Sequence, residues 1–319
     1  MKNDTLKHAM LKQLGEKIDY DKTFKQYRRD IEKFSAWAKQ THKIRLANQV
    51  ADNADKVQLI NDYSSFLQTK GYSVYTIHRY LAPICKGLQV NMKEVKKPKR
   101  ELSKVVKTRE KTRNKRGWQD LERLQDSRII RAQRAIGIRK EELYKLRGRD
   151  LIEEDGRMYV LVERGKGGKR QRQRVAEIDQ DTVRDVFRGV SADGRVFSPK
   201  EAKSVSRVPL HYLRAEHARE LYTFYADQAA DPERRVQLQN ELIETFREAH
   251  PEGGNPRKVK EFKDLMIKGN GIYRLRGANR EKFEQVGRPT EYDRVALMCV
   301  SVWHLSHWRL DVTVDHYMR

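Results

Sequence analysis

The sequence has few cysteines and no long apolar runs, and both absences narrow the possible classes of protein. Its 319 residues include two cysteines, Cys85 and Cys299, which are too few and too far apart for a disulfide framework or a zinc cluster. We expect both to be small buried apolar residues. No stretch approaches the length of a membrane-spanning helix, and residues 1–4 do not open a signal peptide, so we expect neither membrane insertion nor export.

What the sequence has in excess is positive charge. Charged residues make up 35% of the chain, against about 25% in a typical globular protein. Lys and Arg outnumber Asp and Glu by 68 to 45, which gives a net charge of +23. Such a charge attracts polyanions from a distance and makes their binding strongly dependent on salt. Nucleic acid is therefore the leading partner, and the length of the chain favours two domains.

Apolar residues at helical spacing predict a helical amino-terminal domain over residues 1–92. Between residues 21 and 38, aromatic and aliphatic residues recur every three or four positions, as in an amphipathic helix. A second helix around residues 60–67 is predicted to end at Gly71, because a left-handed cap suits glycine. Ser73 is then expected to cap a third helix.

Segment 93–116 is predicted to be a basic linker between two domains. It has twelve Lys or Arg against three Glu, and such a segment cannot bury enough apolar surface to fold alone. We interpret it as a linker that becomes ordered on DNA, the alternative being a disordered spacer. Two basic residues of the third helix, His78 and Arg79, either face phosphates or form an ordinary solvated surface. The candidate DNA-binding residues are His78, Arg79, Lys97, Lys99, Arg100, Arg113, Lys115 and Arg116.

Residues 117–319 show a different pattern, in which helices are combined with a few strands. Strands are predicted around Leu151–Ile152 and Met158–Val162, because an Asp-Gly pair between apolar runs is typical of a hairpin. A third strand is predicted from Arg170 to Ile178. The remainder is predicted to be helical, with an inserted subdomain at about 226–290. The expected fold is mainly α with a small antiparallel β-sheet.

Six residues of this second part are suited to phosphoryl transfer. Arg139 and Arg214 have guanidinium groups that keep their proton and match the non-bridging oxygens of a phosphate. Lys166 lies in a Gly-Lys-Gly-Gly turn, from which it can give a proton to a leaving 5′ oxygen. Tyr317 is the candidate nucleophile, and because a tyrosine hydroxyl is mostly protonated at neutral pH, it needs positive charge or a base nearby. The residues predicted to provide it are His211, Arg214 and His307.

The order of these motifs resembles that of the tyrosine recombinase family, the phage-type integrases. Residues 135–143, Ala-Ile-Gly-Ile-Arg-Lys-Glu-Glu-Leu, are similar to the first box of the family. Residues 165–167 resemble its hairpin lysine, and residues 211–214, His-Tyr-Leu-Arg, resemble its second box. Residues 305–307, Leu-Ser-His, resemble the third box, and Tyr317 resembles the nucleophile. The resemblance covers nearly the whole chain.

The resemblance implies a role for each residue and an architecture for the chain. Arg139 and Arg214 clamp the phosphate, and Glu142 supports the first of them. His211 is the proton acceptor, and His307 hydrogen-bonds the phosphate. A helical core-binding domain and an α+β catalytic domain together clamp the DNA. Taken one at a time, the histidines also fit a buried core role, and the tyrosine fits an anchor for the last helix.

The chain departs from the family pattern at four places. Ser306 stands where the family usually has glycine, which matters if the backbone there has a positive φ. Tyr317 lies ten residues after His307, one more than is usual, so its direction depends on a turn or an irregular helix. Arg214 and His307 are 93 positions apart, an interval that includes the predicted insertion. Only two residues follow the tyrosine, whereas many family members carry a longer tail.

The function implied by the resemblance is site-specific recombination through a 3′-phosphotyrosyl intermediate, which integrates or excises a mobile element. Because a phosphotyrosine retains the energy of the phosphodiester, and the sequence has no P-loop or compact acidic cluster, we expect no cofactor and no metal. Expected partners are duplex DNA with specific sites, further copies of the chain in a tetramer, and accessory DNA-bending or directionality proteins. The expected location is the cytoplasm, at the nucleoid of a prokaryote. The alternatives are a type IB topoisomerase and a DNA-binding regulator without catalysis.

Overall fold

The structure, a computed structural model, divides into two compact units, Met1–Leu102 and Ser103–Arg319. It describes residues 4–15, 21–100, 115–154, 156–163, 165, 168, 170–250 and 254–318. Both units are built mainly from α-helices, and the second also contains small antiparallel sheets, which confirms the predicted fold class. Among the described helices, none is long and apolar enough to cross a membrane.

The described part of the first unit contains four helices. They are α1 Leu6–Gly15, α2 Asp21–His42, α3 Asn53–Thr69 and α4 Val74–Leu88, with a short 3-10 turn at Ala47–Val50. The connection between α3 and α4 follows from local chemistry, because Gly71 adopts a φ of +73° that suits glycine. Ser73 caps α4, its hydroxyl accepting a hydrogen bond from the backbone N–H of Thr76. Both features agree with the prediction from the sequence.

The core of the first unit is apolar and rich in aromatic rings. The predicted amphipathic face of α2 buries Phe34, whose ring packs edge-on against Tyr63 with 5.1 Å between centroids. Trp37 lies 4.9 Å from the same tyrosine ring. Aromatic pairs in such offset arrangements add to the free energy gained by burying their area. Cys85 is free and buried in this core, as Cys299 is in the second unit, in agreement with the prediction.

The two ends of the predicted linker, residues 93–116, lie in different units. Val95 is 4% exposed in the core of the first unit, and the backbone N–H of Lys96 donates to Oδ1 of Asn61 over 2.7 Å. Residues 115 and 116 open helix α5 of the second unit. Residues 101–114 lie outside the described residues, so the linker itself remains a prediction.

The second unit contains the predicted hairpin. Its strands are β1 Leu151–Glu154, β2 Arg157–Val162 and β3 Gln171–Arg174, which form one antiparallel sheet in that order. Gly156, in the turn between β1 and β2, has a φ of +73°. The strand predicted from Arg170 to Ile178 is too long. After the backbone N–H of Val175 donates to the carbonyl of Met158, the chain turns into a 3-10 helix at Glu177–Asp179.

The helices of the second unit precede and follow this sheet along the chain. They are α5 Lys115–Leu124, α6 Arg128–Ile136, α7 Lys140–Leu143, α8 Gln180–Phe187, α9 Pro199–Ser204, α10 Leu210–Ala230, α11 Pro232–Ala249, α12 Pro256–Ile267, α13 Gly277–Gln285, α14 Arg294–Cys299 and α15 Leu310–Tyr317. A π-helical turn, Val300–His304, follows α14 directly. The prediction that the rest of the chain is helical was wrong at a two-stranded ribbon, β4 Ile272–Arg274 with β5 Glu291–Asp293.

The segment predicted as an insertion, residues 226–290, contributes to the same core as the end of the chain. Phe262 of α12 and Phe283 of α13 are buried in one apolar core with Val295 of α14 and Tyr317 of α15. A helix that buries an apolar face must pack it against another element. The partners of this segment are therefore the helices that carry the carboxyl-terminal motif.

Candidate active site

Tyr317 lies in the last turn of α15 and is 4% exposed. Its hydroxyl is 3.0 Å from Nε2 of His307 and accepts a hydrogen bond from Nε of Arg214 over 3.3 Å. The guanidinium carbon of Arg214 also lies 5.5 Å from the centre of the tyrosine ring. The hydroxyl is therefore held between an imidazole and a guanidinium.

Arg214 is the largest fully buried side chain of the described residues, with 1% of its surface exposed. Besides the tyrosine hydroxyl, its guanidinium donates from Nη1 to the carbonyl of Gly137 and from Nη2 to the carbonyl of Leu305, the latter over 2.9 Å. Burial lowers the pKa of Arg214 below its ordinary value, and the nearby charge of Arg139 lowers it further. A buried cation needs such partners, since an unpaired one costs several kcal/mol.

Arg139 is held at the start of α7 by a reciprocal arrangement with Glu142. Nη1 of Arg139 donates to one carboxylate oxygen over 2.8 Å, and its backbone N–H donates to the other over 2.9 Å. Glu142 is 4% exposed, whereas the Arg139 side chain is 24% exposed. The carboxylate therefore fixes the arginine while part of the guanidinium stays open to a ligand.

Of the other two predicted catalytic residues, the structure describes His211 but not Lys166. His211 is exposed in the first turn of α10, and its ring centroid is 5.6 Å from that of Tyr317. Lys166 lies outside the described residues, although the strands on both sides of its turn, β2 and β3, are described. The structure thus brings five of the six predicted residues together: Arg139, His211, Arg214, His307 and Tyr317.

The backbone around His307 is irregular. The π-helical turn Val300–His304 precedes it, and the residues on either side, Ser306 and Trp308, have φ values of +52° and +57°. Left-handed backbone costs a side-chain-bearing residue about 1–2 kcal/mol. The backbone N–H of His307 donates to the carbonyl of Ser301 over 2.9 Å, which helps to hold this conformation. Although Tyr317 lies ten residues after His307, the two side chains meet, with 3.0 Å between Nε2 of His307 and the tyrosine hydroxyl.

Helix α15 is fixed by contacts from two other helices. Nη1 of Arg219, on α10, donates to the backbone carbonyl of Tyr317 over 3.1 Å. Nδ2 of Asn279, on α13, donates to Oδ1 of Asp315 over 3.0 Å. The second contact comes from the predicted insertion, so this segment helps to set the position of the tyrosine. No sequence motif pointed to either residue.

The structure also contains a pair of buried histidines, His217 and His304, that no sequence motif indicated. His217 is 2% exposed and His304 is completely buried, with 5.6 Å between their ring centroids. Nε2 of His304 is 2.9 Å from the hydroxyl of Tyr225. Burial, and after it the charge of Arg214, lowers the pKa of His217 to about 3, so its ring is neutral at physiological pH. The one available signal was spacing, because His217 follows Arg214 by three positions on the same helix.

Several predicted DNA-binding residues of the first unit have partners within that unit. Nε2 of His78 is 2.8 Å from the carbonyl of Pro98. Arg79 forms a 3.0 Å ion pair with Asp30, whose side chain is 1% exposed. Nζ of Lys97 donates to the carbonyl of Met92 over 2.6 Å.

The other predicted DNA-binding residues are exposed where they are described. Lys99 and Arg100 are exposed in the first unit, and the Arg100 guanidinium lies 5.2 Å from the centre of the Tyr75 ring. Lys115 and Arg116 are exposed in the first turn of α5. Arg113 lies outside the described residues. Within the described ranges, there is no group of three or more His, Cys, Asp or Glu residues that could hold a metal ion.

Comparison with known proteins gives matches among solved structures. The chain is similar to the crystal structure of XerA recombinase, with 16% sequence identity and a TM-score of 0.25, over 89% of this chain and 98% of that one. No protein-family model matches the sequence, and no curated protein matches it.

Proposed function

We propose that this protein breaks and rejoins DNA with Tyr317 as the nucleophile. The observation that carries the proposal is the contact of the Tyr317 hydroxyl with both His307 and Arg214. Attack on a phosphodiester needs a nucleophile and fixed positive charge for the oxygens of the transition state. Arg139, whose charge acts on Arg214, adds a second cation. The net charge of +23 supports a polyanionic substrate.

In the proposed step, the Tyr317 oxygen attacks the phosphorus atom of a DNA phosphodiester. A bond forms between the phenolic oxygen and phosphorus, and the bond from phosphorus to the 5′ oxygen of the next nucleotide breaks. The phenolic proton passes to His211 or His307, the two imidazoles beside the ring, and Lys166 supplies the proton for the leaving oxygen. Attack by a 5′ hydroxyl on the phosphotyrosine reverses the step, rejoins the strand and frees Tyr317.

The burial of Arg214 and Tyr317 sets a condition on this step. Each is less than 5% exposed, so a phosphate reaches them only after this part of the unit opens. Both Nη groups of Arg214 are held by backbone carbonyls, whereas its Nε group faces the tyrosine hydroxyl. We therefore expect the Nε edge to receive the phosphate, with Arg139 binding a second oxygen. Carbonyl groups that fix the guanidinium beforehand reduce the reorganisation needed in the transition state.

Covalent trapping tests the proposal. A duplex with a nick close to the cleavage point loses its short 5′-hydroxyl fragment after attack, so the protein remains attached to the DNA. The substrates are fragments selected by their binding to the protein. We expect the wild-type protein to form an adduct that survives denaturing electrophoresis and Tyr317→Phe to form none while still binding the DNA. Equal adduct formation by both proteins rejects Tyr317 as the nucleophile.

We further propose that the enzyme recombines specific DNA sites of a mobile element. It rests on the resemblance of the ordered motifs to tyrosine recombinases, and it includes a tetramer on DNA and accessory DNA-bending proteins as partners. A plasmid with two selected sites distinguishes the activities. Exchange between the sites supports recombination, relaxation alone supports a type IB topoisomerase, and binding without any adduct supports a regulator.

We also propose that the first unit, the basic linker and the start of α5 contribute cations that bind the DNA. Exposed cations support this arrangement: Lys99 and Arg100 at the end of the first unit, and Lys115 and Arg116 at the start of α5. Because each neutralised phosphate adds to the salt dependence, replacing two of these residues with Ala is expected to reduce the slope of log affinity against log salt by about 2. An unchanged slope would remove these residues from the interface.

A further inference from the structure

Two buried histidines lie beside the residues whose carbonyl groups hold Arg214. Nη1 of Arg214 donates to the carbonyl of Gly137, and Nη2 donates to the carbonyl of Leu305. The His217 ring packs against Gly137, and His304 immediately precedes Leu305 in the chain. One histidine therefore contacts its glycine directly, and the other is the neighbour of its leucine in the chain.

His217 connects α10 to the end of α6. Its ring hydrogen-bonds the backbone of Arg134 in the last turn of α6, and Gly137 is the left-handed residue that ends this helix, with a φ of +64°. The packing is close, because a Cβ atom added to Gly137 would lie 2.2 Å from Cδ2 of His217. Any displacement of this ring therefore moves the Gly137 backbone or opens a gap beside it.

His304 connects α10 to the π-helical turn. It is the last residue of Val300–His304, and Nε2 of its ring is 2.9 Å from the hydroxyl of Tyr225 on α10. Helix α10 thus carries Arg214. Through His217 and Tyr225, the same helix also contacts both segments whose carbonyl groups accept hydrogen bonds from the Arg214 guanidinium. A carbonyl at the end of an irregular helix lacks the regular i to i+4 partner that would otherwise fix its direction.

Simple core filling does not account for these residues. Nε2 of His217 is buried without a hydrogen-bond partner, which lowers stability relative to an apolar side chain of similar shape. At a position selected for packing alone, Leu or Phe serves better. The aromatic core of the first unit, with Phe34 and Tyr63, is built in that way.

We propose that His217 and His304 are positioning residues that fix the carbonyl groups of Gly137 and Leu305 and, through them, the guanidinium of Arg214. The proposal rests on the phosphate-binding role proposed for Arg214. It assigns the histidines no contact with the DNA. Their effect is on the rate of the chemical step, since a small displacement of a catalytic group lowers the rate strongly while leaving most binding contacts in place.

The test compares variants that remove or retain the hydrogen bonds of each ring. His217→Leu and His304→Leu remove them, whereas His217→Asn and His304→Gln place an amide nitrogen close to Nδ1 and Nε2 respectively. In single-turnover covalent trapping at saturating DNA, we expect the Leu variants to react at least tenfold more slowly, with DNA affinity within twofold of wild type. The Asn and Gln variants are expected to recover most of the rate.

Leu238→Ala is the matched control for loss of stability. Leu238 of α11 is buried in the apolar core that also contains Leu305 and Tyr317, and its side chain is purely apolar. We expect this variant to have a lower melting temperature but an unchanged trapping rate per folded molecule. The proposal is overturned if the Leu variants at 217 and 304 lose rate only as much as Leu238→Ala does at equal melting temperature, or if the amide variants recover nothing.

A second measurement separates this proposal from the proposed function. In 15N-arginine-labelled protein without DNA, the Nε–H signal of Arg214 is the one that disappears in Arg214→Lys. We expect this signal to shift in His217→Leu, to return towards its wild-type position in His217→Asn, and to stay in place in Leu238→Ala. If no DNA is ever trapped but the signal behaves in this way, the positioning role stands and the proposed function fails. An unmoved signal in His217→Leu rejects the positioning role, whatever the activity.

Discussion

The two units bury different kinds of side chains, and the difference points to where the chemistry lies. Around Phe34 and Tyr63, the first unit has an apolar core, and the polar side chains buried in its described part are Asp30, Asn61 and Ser64. The second unit buries Arg214, His217 and His304 among its apolar side chains. Buried polar and charged groups lower stability unless each has a partner. We therefore expect the proposed chemistry in the unit that retains several of them.

The backbone shows the same contrast. In the first unit, Gln89 has a φ of +59°, but it caps the end of α4, where a left-handed residue is common. In the second unit, Ser306 and Trp308 are left-handed on either side of His307. Ser306 follows Leu305, the C-cap of the π-helical turn, whereas Trp308 lies between that turn and α15. Unusual backbone therefore ends a helix in one unit and surrounds a candidate catalytic residue in the other.

The largest expected difference between the units is in the trapping rate after one arginine of each is replaced. Arg214→Ala is expected to lower the single-turnover trapping rate roughly 10²- to 10³-fold, the loss typical of removing one donor to a transition-state oxygen. DNA affinity should change little, because many other cations share the binding. Arg79→Ala, which breaks the ion pair with Asp30 in the first unit, should lower that unit's stability and leave the rate at saturating DNA unchanged. Parallel losses of rate and affinity in Arg214→Ala would contradict its assigned role.

Two glycines provide the next comparison. Gly137→Ala is expected to destabilise the second unit by about 2–5 kcal/mol, because the new Cβ atom overlaps His217 and the backbone is left-handed. Gly71→Ala, in the first unit, meets the same backbone conformation with open space around it, so the expected cost is about 1 kcal/mol. Urea denaturation of each variant measures both values. Equal costs would show that the contact between Gly137 and His217 is loose.

The pH dependence of stability distinguishes His217 of the second unit from Asp30 of the first by its sign. The folded-state pKa of His217 is lowered from 6.5 to about 3, so its contribution to stability is present above pH 6.5 and is lost as the pH falls towards 3. The difference in stability between wild type and His217→Leu should change by about 1.4 kcal/mol per pH unit in this range. Asp179, whose pKa burial raises to about 7, has the opposite dependence but is common to both proteins.

In the first unit, the sign is reversed. Burial raises the pKa of the Asp30 carboxyl, so its contribution is present at low pH and is lost as the pH rises. The difference in stability between wild type and Asp30→Asn should therefore move in the opposite direction to that for His217→Leu. Chemical denaturation at a series of pH values measures both differences. Two curves with the same sign would contradict this account of the two cores.

The smallest expected effect comes from replacing left-handed residues with glycine. Ser306→Gly and Gln89→Gly should each raise stability by about 0.5–1 kcal/mol, because glycine avoids the left-handed penalty but loses more entropy on folding. The trapping rate should respond to Ser306→Gly alone, since that change loosens the backbone next to His307. A loss of stability in Ser306→Gly would mean that the serine side chain makes a compensating contact.

The helices and the hairpin were predictable because their signals are local. The apolar spacing in α2, the cap at Ser73 and the turn at Gly156 each depend on a few neighbouring residues. The ribbon of β4 and β5 was missed, because its strands are three residues long and 16 residues separate them. The integration of residues 226–290 into the main core was also missed, since their helical periodicity does not say which partner covers the apolar face.

Three properties could be predicted from the amino-acid sequence: the excess of positive charge, the helical character of both units, and five residues that meet in the candidate site. These properties depend on composition, on periodicity and on motif order, all of which can be read along the chain. The packing of the helices buries Arg214, places the His217 ring against Gly137, and brings α13 into contact with the tyrosine helix. Burial and contacts between distant segments depend on how helices pack, because a side chain acquires its environment from residues that the sequence does not place beside it.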